Sequence, residues 1–110
     1  MAWYILDNNQ KPIAKPVLEA VKWIEDNLNR KKVAYDELKD LNGDDVRVST
    51  VFLGLDHAYN SGKPILWETM IFGGEHDQSY QERYTSYEQA IKGHQKAINF
   101  IKTEINGNTK

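Results

Sequence analysis

Histidine and acidic side chains occur together at two places in this chain of 110 residues. Asp56 and His57 end one apolar segment, and residues 75–77, a Glu-His-Asp triplet, follow the next. Imidazole and carboxylate groups of this kind can bind zinc or transfer protons. Their spacing matches no common ligand pattern, such as two histidines one helical turn apart, so we expect no metal ion and no cofactor. Because loops carry function more often than strands do, we expect ligand contacts from Asp56, His57, His76, Asp77 and Arg83.

Glu68 and His94 are polar residues in apolar surroundings. Large apolar residues flank Glu68 at alternate positions, and His94 lies on the apolar side of a predicted helix. A buried carboxylate is unfavourable without a partner, so we expect a hydrogen-bonded structural pair between Glu68 and His94. An enzymatic alternative remains open, in which a small metal-dependent hydrolase uses His57, Asp56 and Glu68.

The elements that position these residues predict an α+β fold, with an antiparallel sheet of four or five strands, two helices and a long central hairpin. Apolar residues at helical spacing from Val17 predict the first helix. Thr85 followed by Glu88 predicts a capping box at the start of the second helix. Segments rich in β-branched and aromatic residues predict strands at 3–6, 33–38, 46–55, 65–72 and 82–84. The hairpin joins 46–55 to 65–72 through a loop at 59–64.

Side chains alternate along a strand, so the two faces of the predicted hairpin can be separated. One face carries Val48, Phe52, Trp67 and Ile71, and the other carries Val51, Leu53, Leu55, Leu66, Met70 and Phe72. We expect Trp67 to lie opposite Gly54, because a large ring packs well over a glycine. This register places Glu68 opposite Leu53. Since both faces are apolar, either each face is covered by one helix, or both helices share one face and the other meets a second copy or a partner.

Composition limits the class of protein. The chain has no cysteine, 14 basic and 16 acidic residues and a formal net charge of −2. This balance lacks the excess of positive charge that is typical of proteins that bind duplex nucleic acid. The apolar run at residues 2–6 is too short for a signal peptide or a membrane span, so we expect a cytoplasmic protein. The length predicts a single domain over residues 1–105, followed by a frayed polar tail at 106–110.

Two segments of the hairpin resemble the signature of a family of small uncharacterised proteins encoded by bacteriophages and prophages. They are VRVSTVFLGLDH at 46–57 and PILWETMIFGG at 64–74. The chain also has that family's Arg-Tyr element, at Arg83, and a helix with Ala90 and His94 in matching places. The resemblance covers about residues 33–94, and the loop at 58–64 departs from it. It implies an accessory protein that acts in the cytoplasm of an infected host.

The leading hypothesis is therefore a non-enzymatic binding protein, an inhibitor or a sequestering protein. Its target would be a host protein or a small nucleotide-like signal, held by the hairpin loop and the adjoining strand ends. A homodimer through one sheet face is a further expectation. The metal-dependent hydrolase and a virion or assembly protein remain the alternatives.

Overall fold

The computed structural model describes residues 2–58 and 62–108, with side chains as far as residue 103. It has the predicted α+β fold. The strands are β1 (Trp3–Leu6), β2 (Pro12–Lys15), β3 (Lys32–Lys39), β4 (Asp45–Phe52), β5 (Trp67–Phe72) and β6 (Gln81–Tyr84). The helices are α1 (Val17–Asp26), α2 (Leu28–Lys31) and α3 (Tyr87–Asn108). Residues 59–61 of the predicted loop and 109–110 of the predicted tail lie outside the described residues.

The strands form two antiparallel sheets. β3, β4, β5 and β6 follow one another in a four-stranded meander, while β1 and β2 pair with each other in a two-stranded sheet. The small sheet is attached to the end of β4, where the Tyr4 N–H donates to the Gly54 carbonyl at 2.7 Å. The sequence predicts neither β2 nor the one-turn helix α2. β2 begins at Pro12, which has no N–H for a strand ladder and so gives a weak strand signal.

The central hairpin pairs β4 with β5 in a register that differs from the predicted one. Phe52 lies opposite Trp67 and Val51 lies opposite Glu68, so the predicted pairs of Trp67 with Gly54 and of Glu68 with Leu53 are wrong. The shift is by two residues, which leaves the paired side chains of β4 and β5 on their predicted faces. Gly54 instead accommodates α1: its φ is +79°, and a Cβ there would lie 2.6 Å from Cδ1 of Ile24.

The inner face of the meander is the side that packs against α3. The residues of this face with no exposed surface are Val48, Thr50, Phe52, Trp67 and Thr69. Ala97, Ile98 and Ile101 of α3 form one apolar cluster with Val46, Val48 and Ile71. α1 lies on the same side, because its Trp23 ring packs edge-on against Phe52 at 6.0 Å. Both long helices therefore share one face, as the second predicted arrangement expects of the helices; the second copy or partner on the other face stays a prediction.

The outer face is the opposite side of the meander, and no helix of the described chain covers it. Its central side chains are Tyr35, Glu37, Arg47, Ser49, Val51, Glu68, Met70, Phe72 and Arg83, with Lys32, Lys39, Asp45 and Gln81 at its margins. The expectation of an apolar second face is wrong, because Arg47, Ser49 and Glu68 of the hairpin lie on this face and β3 and β6 add further polar side chains. Leu66, expected on this face, is instead fully buried in the cluster around Phe52.

α3 begins with a cap one residue later than predicted. The Ser86 Oγ accepts the N–H of Gln89 at 3.1 Å, and the Gln89 Oε1 accepts the N–H of Thr85 at 3.1 Å. The predicted pair of Thr85 with Glu88 is therefore wrong, although the start of the helix is right. Glu88 faces Lys11 at 3.9 Å instead. No helix within 2–58 and 62–108 is long and apolar enough to cross a lipid bilayer.

Gly93 brings α3 into direct contact with β6. It is buried, and a Cβ at this position would overlap the phenol of Tyr84. Burial raises the pKa of that phenol. The glycine is therefore needed for the close approach of helix and strand, at a helix-interior position where alanine would otherwise be favoured.

We predict that Gly93→Ala lowers the free energy of unfolding by about 1–3 kcal/mol, because the added methyl group overpacks the contact with Tyr84. Urea denaturation measures the change. In a Tyr84→Ala background the same substitution should be neutral or stabilising, since alanine then contributes only its higher helix propensity. Stabilisation by Gly93→Ala in the otherwise unchanged protein would contradict this packing.

Candidate binding site

Asp56 and His57, the first pair of predicted ligand residues, lie just beyond the end of β4. The Asp56 Oδ1 accepts the backbone N–H groups of Ala58 at 2.8 Å and of Ile65 at 2.9 Å. Its carboxylate therefore closes the base of the loop between β4 and β5. The His57 ring makes no hydrogen bond or ion pair with any described residue, and no carboxylate orients it. The structure gives Asp56 a structural role.

His76 and Asp77 lie at the opposite end of β5. The six residues of β5, at about 3.4 Å each, separate them from Asp56 and His57 by roughly 20 Å. The Asp77 Oδ1 accepts the N–H of Gly73 at 2.7 Å, and the His76 ring packs against Phe100 at 4.9 Å. The predicted ligand residues are therefore not brought together. Within the described chain, no three His, Asp or Glu side chains are grouped to hold a metal ion.

Glu68 and His94 lie on opposite faces of the meander, so the predicted pair between them is wrong. The Glu68 carboxylate accepts hydrogen bonds from Gln81 at 2.7 Å and from the Arg83 Nε at 2.9 Å, both on β6. These contacts place Arg83, the fifth predicted ligand residue, in a cross-strand ion pair on the outer face. Burial lowers the pKa of Lys31, and the nearby Glu68 carboxylate opposes that shift.

The partners of His94 come from two strands of the meander. Its Nε2 lies 2.7 Å from the Asp36 Oδ2 on β3, and its Nδ1 lies 2.7 Å from the Thr50 Oγ1 on β4. The Thr50 hydroxyl also hydrogen-bonds to the Thr69 hydroxyl on β5. Because a carboxylate only accepts, Nε2 carries a proton, and in the neutral ring Nδ1 accepts from Thr50. This Asp36–His94–Thr50–Thr69 network ties α3 to three neighbouring strands.

Asp36, His94 and Thr50 follow one another in the same order as the groups of a hydrolytic triad. Unlike a triad, they are not accessible to a substrate. A carboxylate orients an imidazole, and the imidazole contacts a hydroxyl, as in serine hydrolases. Thr50, however, has 0% of its surface exposed, and His94 only 5%. A nucleophile must reach the substrate carbonyl, and this hydroxyl reaches only Thr69 and His94. The network therefore stabilises the fold.

A cleft on the outer face has the composition of a ligand site. Tyr35, Arg47, Ser49 and Phe72 line a space of about 230 Å³. Tyr35 lies opposite Ser49, and Phe72 lies opposite Arg47, so the two aromatic rings border the cleft diagonally across three strands. Tyr35 is 51% exposed, and its hydroxyl donates to the Glu37 Oε2 at 3.3 Å. We call this space the ring cleft.

Arg47 makes the ring cleft attractive to anions. Its guanidinium carbon lies 5.7 Å from the centre of the Phe72 ring, in a cation–π contact. No carboxylate of the described residues lies within ion-pair distance of it. The other arginine of the outer face, Arg83, is paired with Glu68. Arg47 is thus held in place by an uncharged ring, and its five N–H donors remain available to a ligand.

A second cleft adjoins the ring cleft along β3 and β4. It has a volume of about 630 Å³ and shares Arg47 with the ring cleft. Its polar side chains are Glu37, Lys39, Asp45 and Arg47, and Gly73 closes one side. The Lys39 Nζ lies 2.6 Å from the Asp45 Oδ1, and this contact raises the pKa of Lys39 and lowers that of Asp45. Two carboxylates and two basic groups give this lining a formal charge of zero, and Leu38 and Val46 also line it. We call this space the β3–β4 cleft.

The sequence does carry a signal for the ring cleft, although the predictions did not use it. Arg47 and Ser49 are polar residues inside a segment whose alternate positions are apolar, which marks one face of that strand as solvent-facing. The predicted strand at 33–38 places Tyr35 at an outward position once its pairing with β4 is known. The expectation that ligand contacts lie in loops points to the strand ends instead.

Because His94 is paired with Asp36 and not with Glu68, substitutions of these two carboxylates should respond differently to the loss of His94. His94→Ala should lower the free energy of unfolding by about 1–3 kcal/mol, because the buried Thr50 hydroxyl loses one of its two hydrogen-bond partners and keeps only Thr69. Asp36→Ala should cost less in the His94→Ala background than alone, whereas Glu68→Ala should cost the same in both. A double-mutant cycle in urea measures both couplings. Coupling of His94 to Glu68 but not to Asp36 would contradict the network.

Nothing matches this chain in a scan against protein-family models, in a search of curated proteins or in a search of solved structures. The case for the ring cleft as a binding site therefore rests on its own geometry.

Proposed function

We propose that this protein is a non-enzymatic binding protein that holds a small nucleotide-like ligand on its outer face. The observation that carries this proposal is the ring cleft, in which an unpaired guanidinium and two aromatic rings border one space. A planar base stacks on Tyr35 or Phe72, and the phosphate accepts hydrogen bonds from Arg47. Stacking on aromatic side chains and charge-assisted contacts from arginine are the usual ways in which a bare sheet holds a nucleotide.

The shape of the outer face supports a ligand of this kind. A four-stranded antiparallel sheet with its helices on the other side presents exposed side chains at fixed spacing on a rigid support. The Ser49 hydroxyl lies between the two rings and offers both a donor and an acceptor to the edge of a base. Tyr35 and Arg47 are exposed, so a ligand reaches them without unfolding any element.

The hydrolase alternative has less support. It requires His57, Asp56 and Glu68 to act together, but the Asp56 carboxylate is bound to backbone N–H groups and Glu68 is bound to β6. The His94 imidazole contacts both a carboxylate and a hydroxyl, but it is buried. A binding role needs no catalytic group. It needs exposed aromatic and charged side chains, and the outer face carries both.

The proposed biological role is based on the resemblance to phage proteins. A small phage protein that binds a nucleotide-like molecule would act by sequestering a signal of the infected host. A second copy or a host protein on the outer face would compete for the same side chains, so the ligand experiment also tests those partners.

We predict that adenosine monophosphate binds to the protein and that Tyr35→Ala and Arg47→Ala each weaken binding by at least fivefold. The loss of one stacked ring is worth about 1–3 kcal/mol per base. Isothermal titration calorimetry measures the affinities, and both variants should keep the melting temperature because neither side chain is buried.

Arg83→Ala is the matched control. It removes an arginine from the same face, but one that is paired with Glu68 and lies at the other edge of the sheet. Its affinity should stay within twofold of the unchanged protein. Absence of binding by the unchanged protein, or equal losses in the Arg47→Ala and Arg83→Ala variants, would contradict the proposal. A dimer in light scattering, with Met70 shielded from oxidation, would assign the outer face to a second copy instead.

A further inference from the structure

Glu37 is a direct neighbour of two side chains that line the ring cleft. It lies two residues beyond Tyr35 on β3, and its Oε2 accepts a hydrogen bond from the Tyr35 hydroxyl at 3.3 Å. On the neighbouring strand it lies directly opposite Arg47. Side chains opposite each other on antiparallel strands have their Cβ atoms about 4.5–5.5 Å apart. The Glu37 carboxylate is therefore close to any group that binds to Arg47.

The charge of Glu37 offsets that of Arg47, although the two side chains do not form an ion pair. Both of them line the β3–β4 cleft. Among the residues that the structure describes, no lysine or arginine nitrogen lies within ion-pair distance of the Glu37 carboxylate, and the next basic residue on β3, Lys39, is bound to Asp45. Glu37 therefore brings an unpaired negative charge to the space beside the guanidinium.

A phosphate that contacts Arg47 is affected by both charges. Its first negative charge accepts charge-assisted hydrogen bonds from the guanidinium. A second negative charge loses hydration and is repelled by Glu37, and the repulsion between two unit charges about 6 Å apart in water weakens binding roughly threefold. The balance of these charges therefore favours a phosphate with a single negative charge.

We propose that Glu37 determines the charge of the ligand, and that the ring cleft binds a nucleotide whose phosphate is esterified twice. This inference rests on the proposed function and specifies the class of ligand for that site. A phosphodiester brings one negative charge to Arg47. A terminal phosphate, whose second pKa is about 6, carries close to two negative charges above neutral pH and is repelled by Glu37.

The test compares adenosine 5′-monophosphate, its methyl ester and 3′,5′-cyclic adenosine monophosphate by calorimetry at a pH of about 8, two units above that pKa. The two diesters keep the base and the sugar but carry one negative charge. At least one of them should bind at least threefold more tightly than the monophosphate, and the tighter one shows whether the cleft fits an open or a cyclic diester. If neither diester reaches that margin, the inference is overturned and the proposed function stands.

Glu37→Gln tests the role of the carboxylate itself. Glutamine keeps the length of the side chain and an oxygen that accepts from Tyr35, but it removes the charge. Its affinity for the monophosphate should rise at least threefold more than its affinity for the diester, so the preference for the diester falls by the same factor. An unchanged preference in this variant would overturn the inference.

Glu82→Gln is the matched control, because it changes the net charge equally but lies on β6, at the other edge of the meander. Its preference for the diester should stay within twofold of that of the unchanged protein. Equal changes in the two variants would assign the effect to net charge and overturn the inference. Failure of all three nucleotides to bind would overturn the proposed function itself.

Discussion

The buried contacts of His94 determine which side of the sheet is covered. The two ring nitrogens of His94 on α3 each lie 2.7 Å from an oxygen, one of Asp36 on β3 and the other of Thr50 on β4. The Thr50 hydroxyl is in turn hydrogen-bonded to Thr69 on β5. Buried polar groups are costly unless they are paired, so this network favours the placement of α3 that pairs His94 with Asp36 and Thr50.

The outer face is available because the helices lie together on the inner side. α3 covers the meander, α1 covers the junction with the small sheet through Trp23, and the loop between β4 and β5 is closed at its base by Asp56. The side chains of the outer face therefore lie outside the core that α1 and α3 cover. Arg47 is one of them: it lies over the Phe72 ring, and no carboxylate of the described residues is within ion-pair distance of it.

The sequence predicts the elements and the buried face well, because alternation along a strand is a local property. Val48, Phe52, Trp67 and Ile71 fall on one side in any register that keeps the period of two residues. The partner of His94 is not local: Asp36 lies 58 residues away, and only the pairing of β3 beside β4 brings it there. The ring cleft depends on the register of three strands at once, which the loop between β4 and β5 does not specify.

A long-range ¹H–¹⁵N NMR spectrum of the three histidine rings tests the placement of α3 most directly. The account predicts that one imidazole keeps a slowly exchanging Nε2 proton, and that this signal shifts when Asp36 is replaced by asparagine while the other two rings do not change. If all three rings exchange freely with water and none responds to that substitution, α3 is not anchored as described, and the open outer face loses its basis.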